Sequence, residues 1–189
     1  MTIEEKLNLA VDRIGSSFQA GGKLLLCGNG GSAADCAHIT GELCKGFLKK
    51  RPLSDTLRAA IGAPWAAQLQ QALPAVDLTA NSALIAAIVN DLDGGNMFAQ
   101  QVMAYGKPGD VLLGISTSGN AENVCRAVQC AKALGLYTIA LTGQSGGRLS
   151  GMADLLLNVE AQETYRVQEL HLPLYHQLCM RLEARFFKD

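Results

Sequence analysis

Five short, almost uninterrupted apolar runs constrain the fold of this chain more than any other feature of its sequence. Segments with helical periodicity separate each run from the next. Strands of a parallel sheet look like this when helices cover both faces, because neither face then alternates with solvent. The runs occupy residues 23–27, 74–79, 110–115, 137–142 and 154–159. The pattern predicts an α/β fold built on an open, doubly wound parallel sheet.

The stretches between these runs carry the periodicity of amphipathic helices. Helices are predicted at 3–20, 32–47, 82–90, 95–105, 120–134 and 162–187. Residues 53–72 stand apart because they are rich in Ala and Gln and contain Pro64 near their middle. This segment predicts a helix, a turn and a second helix. We therefore expect one domain over residues 1–189, with 53–72 as a helical insertion.

Composition narrows the classes of function. The 189 residues are 49% hydrophobic, and their formal net charge is −1 with no long basic run, so nothing indicates binding to nucleic acid. No apolar stretch reaches the roughly 18 residues that a membrane span needs. The N-terminal residues are charged and lack the apolar run of a signal peptide. The six cysteines show no C-x-x-C pair. We expect a cytoplasmic protein with reduced cysteines that does not bind membranes.

The first polar loop, residues 27–32 (CGNGGS), lies directly between a predicted strand and a predicted helix. Glycines let the backbone approach an anion closely, and a helix start offers unpaired N–H groups. The loop lacks both the G-x-G-x-x-G spacing of dinucleotide-binding folds and the lysine of a P-loop. Taken alone, the loop is as consistent with a plain strand–helix turn as with an anion-binding site.

The second polar loop, residues 115–120 (ISTSGN), occupies the equivalent place after the third run. Its three consecutive hydroxyl groups can donate to phosphate oxygens, whereas helix capping by Ser118 or Asn120 would explain only one of them. Neither loop contains Arg or Lys, which favours a single phosphate over a polyphosphate with its metal. Ligands bind at the carboxyl edge of such sheets, so the two loops predict one shared phosphate site.

The three histidines of the chain are His38, His171 and His176. His38 and Glu42 lie four residues apart, on one face of a helix, and could form a metal pair, an acid–base pair or a plain surface pair. His171 and His176 could instead be core residues that are held by hydrogen bonds and have no role in the chemistry. Gln168 and His176 are eight residues apart, about 12 Å along a helix, so a site at a subunit boundary would let one ligand contact both more easily.

Four segments resemble the phosphoheptose isomerases of the sugar isomerase (SIS) domain family. They are residues 27–43, 109–120, 139–147 and 166–176. The resemblance implies a flavodoxin-like, three-layer αβα fold with a five-stranded parallel sheet. It also implies a homotetramer with active sites between subunits, which converts sedoheptulose 7-phosphate to D-glycero-D-manno-heptose 7-phosphate. That reaction is an early step toward the heptose of bacterial lipopolysaccharide and other surface polysaccharides.

The resemblance also implies roles for individual residues. The expected contacts to the phosphate and the sugar are Asn29, Gly30, Ser32, Asp91, Ser116, Thr117, Ser118, Asn120 and Gln168. Glu42 is the expected general base and His176 the general acid of a proton transfer through an enediol. The expected ligands of one Zn²⁺ ion per subunit are His38, Glu42, Gln168 and His176. A zinc-bound glutamate is a weaker base, which leaves open whether the metal is catalytic or structural.

Three positions depart from the family pattern, and they leave the exact phosphosugar open. Ala121 lacks a hydroxyl, Gly46 replaces an arginine beside Lys45, and Tyr165 replaces an acidic residue. The alternatives are a non-catalytic relative of the replication-initiator-associating type, a sugar-phosphate-sensing domain, and an isomerase that works without metal. Because the acid, the base and the expected ligands are all present, the sequence favours an isomerase.

Overall fold

The five apolar runs pair side by side in one parallel sheet. The computed structural model describes residues 1–187, and its strands are β1 (Leu24–Gly28), β2 (Ala75–Asp77), β3 (Val111–Ser116), β4 (Tyr137–Thr142) and β5 (Leu155–Asn158). They are ordered β2-β1-β3-β4-β5, and every neighbouring pair is parallel. The predicted fold class is confirmed, and the predicted strand ends differ from these by two residues at most.

Helices cover both faces of this sheet. They are α1 (Ile3–Gln19), α2 (Gly31–Cys44), α3 (Asp55–Ile61), α4 (Ser82–Asp91), α5 (Ala99–Tyr105), α6 (Glu122–Ala133) and α7 (Thr164–Phe186). A capping box begins α1, since Thr2 accepts from the Glu5 amide while the Glu5 carboxylate accepts from the Thr2 amide. None of the helices within residues 1–187 is long and apolar enough to cross a membrane.

Successive strand residues point into two separate cores. Leu24 and Leu26 of β1 face a core built with α1, α2 and α7, whereas Leu25 and Cys27 face a core built with α5 and α6. All four side chains are fully buried. Burial on both faces explains why the strand sequences show no polar alternation. The result is the three-layer αβα arrangement that the resemblance implied.

The segment 53–72 differs from its prediction. The first predicted helix forms as α3, but the second is only a short 3₁₀ turn at Trp65–Ala67. The residues that follow bond instead to the chain before α3: Gln70 forms a β-bridge with Pro52, and the Gln71 amide donates to the Arg51 carbonyl. These tertiary bonds override a local helical pattern.

Two other helices differ from their predicted bounds by three or more residues at one end. The predicted helix at 95–105 divides into a 3₁₀ turn at Gly94–Asn96 and α5, because two adjacent glycines at its start disfavour an α-helix. Helix α2 ends at Cys44 and does not reach residue 47, since the carbonyls of its last turn bond to Arg51. The elements that carry the predicted site are otherwise where the sequence placed them.

Candidate active site

The two polar loops emerge side by side at the carboxyl edge of the sheet. Strands β1 and β3 are neighbours, and Gly28 at the end of one pairs with Ile115 near the end of the other. The loop that follows β1 runs into α2, and the loop that follows β3 leads to α6. This adjacency brings both loops to the place where open α/β sheets bind ligands.

Glycine geometry shapes the first loop. Gly30 has φ +55°, a left-handed value that suits glycine, and α2 begins at the next residue. The Ser32 amide donates to the Asn29 carbonyl at 3.0 Å, and Ser32 itself is buried. The chain therefore reverses tightly, and α2 begins directly from the loop.

The second loop is held by a third one. Gly119 has φ +67°, and a Cβ at this position would collide with the Gly146 carbonyl. The Gly143 amide donates to the Thr117 carbonyl at 2.9 Å. Ala121 is the N-cap of α6 and makes no side-chain cap, so the alternative that Ser118 or Asn120 caps the helix is wrong. The Ser118 hydroxyl accepts from the Asn120 amide within the loop itself.

Reciprocal amide hydrogen bonds join the first loop to the start of α6. Asn29 and Asn123 each donate to the other's side-chain oxygen at 2.9 Å. No sequence motif pointed to Asn123 as a partner of this loop. The hydroxyls of Ser32, Ser116 and Thr117, in contrast, make no hydrogen bond within residues 1–187. The loops are fixed relative to each other, and three hydroxyls stay available for an anion.

The proposed acid and base lie together where α2 packs against α7. His38 Nε2 is 3.3 Å from Glu42 Oε1, and the ring centroids of His38 and His176 are 5.0 Å apart. The ring of Phe47 packs on His176 with centroids 5.6 Å apart. His176 Nε2 is buried and has no hydrogen-bond partner. Glu42 and His38 are thus more than a plain surface pair, because a second helix brings another imidazole to them.

Tyr175 is a component of this cluster that sequence analysis missed. Its hydroxyl lies 3.0 Å from His38 Nδ1, so His38 is held on both ring nitrogens. Burial raises the pKa of Tyr175, and the neighbouring Asp35 carboxylate raises it further. Burial likewise raises the pKa of Asp35, although the bond from the Tyr175 hydroxyl acts against this shift. The sequence offered one signal for its role, which is that Tyr175 directly precedes His176.

The other predicted residues of α4 and α7 occupy different places. Gln168 packs over Gly31, where a Cβ would collide with its side-chain amide, so it belongs to the first loop rather than to the histidine cluster. His171 is the core histidine of the alternative interpretation: its Nε2 lies 3.2 Å from the Thr142 carbonyl, and burial lowers its pKa. Asp91 ends α4, exposed, and accepts a hydrogen bond from Asn90.

The side chains of His38, Glu42 and His176 offer donor atoms of the kinds that bind zinc. Two imidazoles and a carboxylate are ligands that zinc prefers, and the unpartnered, buried Nε2 of His176 is available for a bond. Within one chain, however, His38, Glu42 and His176 come together without Gln168. Residues 1–187 hold no group of three His, Cys, Asp or Glu side chains already arranged around one ion. The residues fit zinc by chemistry, and the side chains would rotate to share it.

One of the departures from the family pattern has a structural explanation. The Gly46 amide donates to Gln70 Oε1 at 2.8 Å, and a Cβ at residue 46 would collide with the Gln70 side chain and the Lys49 carbonyl. The segment 53–72 therefore requires glycine here. Lys45 provides a cation nearby, with its Nζ 3.4 Å from Glu42 Oε2. Tyr165 is exposed, and its ring stacks with the Arg166 guanidinium.

Known proteins resemble this chain in both sequence and fold. A family model described as the SIS domain matches residues 1–71 and 65–143. A probable phosphoheptose isomerase of Thermoplasma acidophilum is 41% identical over 98% of this chain and 91% of its own length. A phosphoheptose isomerase of Synechocystis sp. is 42% identical over 96% of this chain and 84% of its own length. The structure of phosphoheptose isomerase from Neisseria gonorrhoeae superposes with a TM-score of 0.80 at 37% identity, over 95% of this chain and 86% of that one. The chain therefore belongs to the SIS domain family, within the group of the phosphoheptose isomerases.

Proposed function

We propose that this protein is an aldose–ketose isomerase that converts sedoheptulose 7-phosphate to D-glycero-D-manno-heptose 7-phosphate. The observation that carries the proposal is the convergence of Glu42, His38 and His176 where α2, which begins at the first polar loop, packs against α7. A non-catalytic binding protein of the same fold would have no use for such a cluster. The product suits an early, cytoplasmic step in the supply of heptose for surface polysaccharides.

The loops hold the phosphate without a cationic side chain of their own. Amides at the start of α2 carry the partial positive charge of a helix N-terminus, and Ser116 and Ser118 add hydroxyl donors. Such bonds to a charged group are stronger than neutral ones. Binding the phosphate far from the reacting carbons also uses its binding energy to orient the sugar.

Glu42 and His176 then carry out two proton transfers. The Glu42 carboxylate removes a proton from C1 of the ketose and delivers a proton to C2, after the proton that it holds has had time to exchange with solvent. His176 transfers the hydroxyl proton from O1 to O2, so the enediol forms and collapses without net gain or loss of protons. Positioned proton transfer of this kind contributes about 10²- to 10⁴-fold to the rate. His38 and Tyr175 keep the Glu42 carboxylate oriented.

A zinc ion is part of the proposal. His38, Glu42 and His176 would hold it, and Gln168 would complete the set when it comes from a neighbouring subunit, because Gln168 of the same chain packs on Gly31. When bound, zinc supplies a Lewis acid that polarises the substrate carbonyl. The unpartnered nitrogen of His176 supports this assignment.

The assembly that we propose is a homotetramer with active sites between subunits. Helix α4 buries only Ile88 of its own residues, although most of the helix is apolar, and Val89 and Leu92 remain exposed. Leu170 and Leu172 of α7 are exposed as well. Apolar helix faces of this kind are typical of surfaces that a partner covers.

If the assembly is a tetramer, sedimentation velocity at micromolar concentration should give about four times the chain mass of 20.0 kDa. Leu92→Lys should shift the distribution toward smaller species, because a charge on a buried apolar contact disfavours association. Lys107→Glu, a charge reversal away from α4, serves as the control. A monomer with full activity would rule out sites between subunits.

The role of Glu42 is tested by Glu42→Gln, which keeps the shape and removes the base. Turnover of sedoheptulose 7-phosphate should fall by about 10²-fold or more, with an unchanged circular dichroism spectrum. Glu4→Gln makes the same change at an exposed ion pair with Arg181 and should keep full turnover. Turnover close to wild type in Glu42→Gln would exclude Glu42 as the base.

The phosphate site is tested by replacing Ser116 and Ser118 together with Ala. Each hydroxyl lost from a charged phosphate weakens binding, so calorimetry should show Kd for sedoheptulose 7-phosphate raised by about 10-fold or more. Ser16→Ala on the exposed face of α1 is the matched control. An unchanged Kd in the double variant would mean that the phosphate binds elsewhere.

A further inference from the structure

Arg51 is a buried cation that no step of the proposed reaction uses. Its side chain is fully buried and pairs with Glu183, whose side chain is 1% exposed, with Nε 2.9 Å from Oε1. A buried ion pair costs a large desolvation energy, so its presence calls for an explanation beyond stability. The two side chains join α2, α7 and the loop that follows α2.

The guanidinium group closes the end of α2. Its Nη1 donates to the Leu43 carbonyl at 2.6 Å, and its Nη2 donates to the Glu42 carbonyl at 3.0 Å. The carbonyls of a last helical turn have no partner within the helix, and a cation there also interacts favourably with the helix dipole. Arg51 thus binds the backbone of the proposed catalytic base itself.

Glu183 holds the other side of the contact. It lies on α7 seven residues after His176, which places both on one face of the helix two turns apart. Its carboxylate accepts from the amides of Phe47 and Leu48, each at 2.8 Å. Burial alone would raise the pKa of Glu183, but these amides and the Arg51 guanidinium hold it below its usual value.

The tethered loop also reaches His176 directly. Phe47, whose amide is bound by Glu183, packs its ring against the His176 imidazole. On the other side, the Arg51 carbonyl accepts from the Gln71 amide at 2.7 Å, which anchors the end of the segment 53–72. One ion pair therefore connects the helix of the base, the helix of the acid, and the loop that packs on the acid.

We propose that Arg51 and Glu183 are positioning residues that set the placement of Glu42 relative to His176. This inference rests on the proposed function, because it assigns the pair to the geometry of that reaction. Proton transfer is sensitive to small displacements of the transferring groups, whereas binding of the distant phosphate is not. Loss of the pair should therefore lower kcat far more than it raises KM.

Arg51→Lys tests the inference with the charge retained. Lysine can still pair with Glu183, but its single ammonium group cannot reproduce the planar fork that binds two carbonyls of α2. We expect kcat to fall at least 10-fold and KM to change less than threefold, in protein that is folded by circular dichroism. Arg185→Lys is the control, since Arg185 pairs α7 with Asp12 of α1 and does not contact α2. Its kcat should stay within twofold of wild type.

Amide hydrogen exchange gives a readout that does not need the reaction. In Arg51→Lys, exchange at Phe47 and Leu48 should accelerate more than at the β3 amides, whereas Arg185→Lys should leave this ratio unchanged. Folded Arg51→Lys with kcat within twofold of wild type would overturn the inference, as would an unchanged exchange ratio. A wild-type protein that fails to isomerise any ketose phosphate would instead contradict the proposed function, and the exchange ratio would then still show whether the pair fixes the loop that packs on His176.

Discussion

The parallel pairing of β1 with β3 at the centre of the sheet is the constraint on which the site depends. Each strand is buried on both faces, so its ends are fixed by two cores at once. The loops that follow these strands therefore emerge together, and the helix that starts from the first loop carries His38 and Glu42. The polar chemistry is placed by apolar packing, since a shift of β1 along β3 would separate the loops.

Helix α2 connects the two halves of the site. Its first turn follows the first polar loop, and its last turn carries Glu42 and ends on the buried Arg51. The helix packs along α7, so the contact of Gln168 with Gly31 lies at one end and the Arg51–Glu183 pair lies at the other. Between these two contacts His38 and His176 meet, which is compatible with the proposed binding of the phosphate at the polar loops and reaction at the far carbons.

The sequence predicted the parts of this structure that depend on local pattern. Apolar runs located the strands, and loop composition located the two polar loops at the carboxyl edge of the sheet. The sequence did not predict the places where groups from elsewhere in the chain satisfy backbone polar groups. The Arg51 side chain ends α2 early, and backbone bonds of Gln70 and Gln71 replace the second helix of the segment 53–72. Tyr175 and Asn123 were missed for a related reason, since their partners are far away in sequence. Gln168 lies against Gly31 within the chain, and its predicted role beside His176 stays a prediction.

Incubation of the purified protein with sedoheptulose 7-phosphate in D₂O, followed by NMR with added zinc and with a chelator, tests the central claim most directly. The account predicts an aldoheptose 7-phosphate with deuterium at C2, since Glu42 exchanges its proton with solvent during transfer. It also predicts that the chelator abolishes the reaction and that zinc restores it. Absence of both product and deuterium incorporation with zinc present would contradict the account.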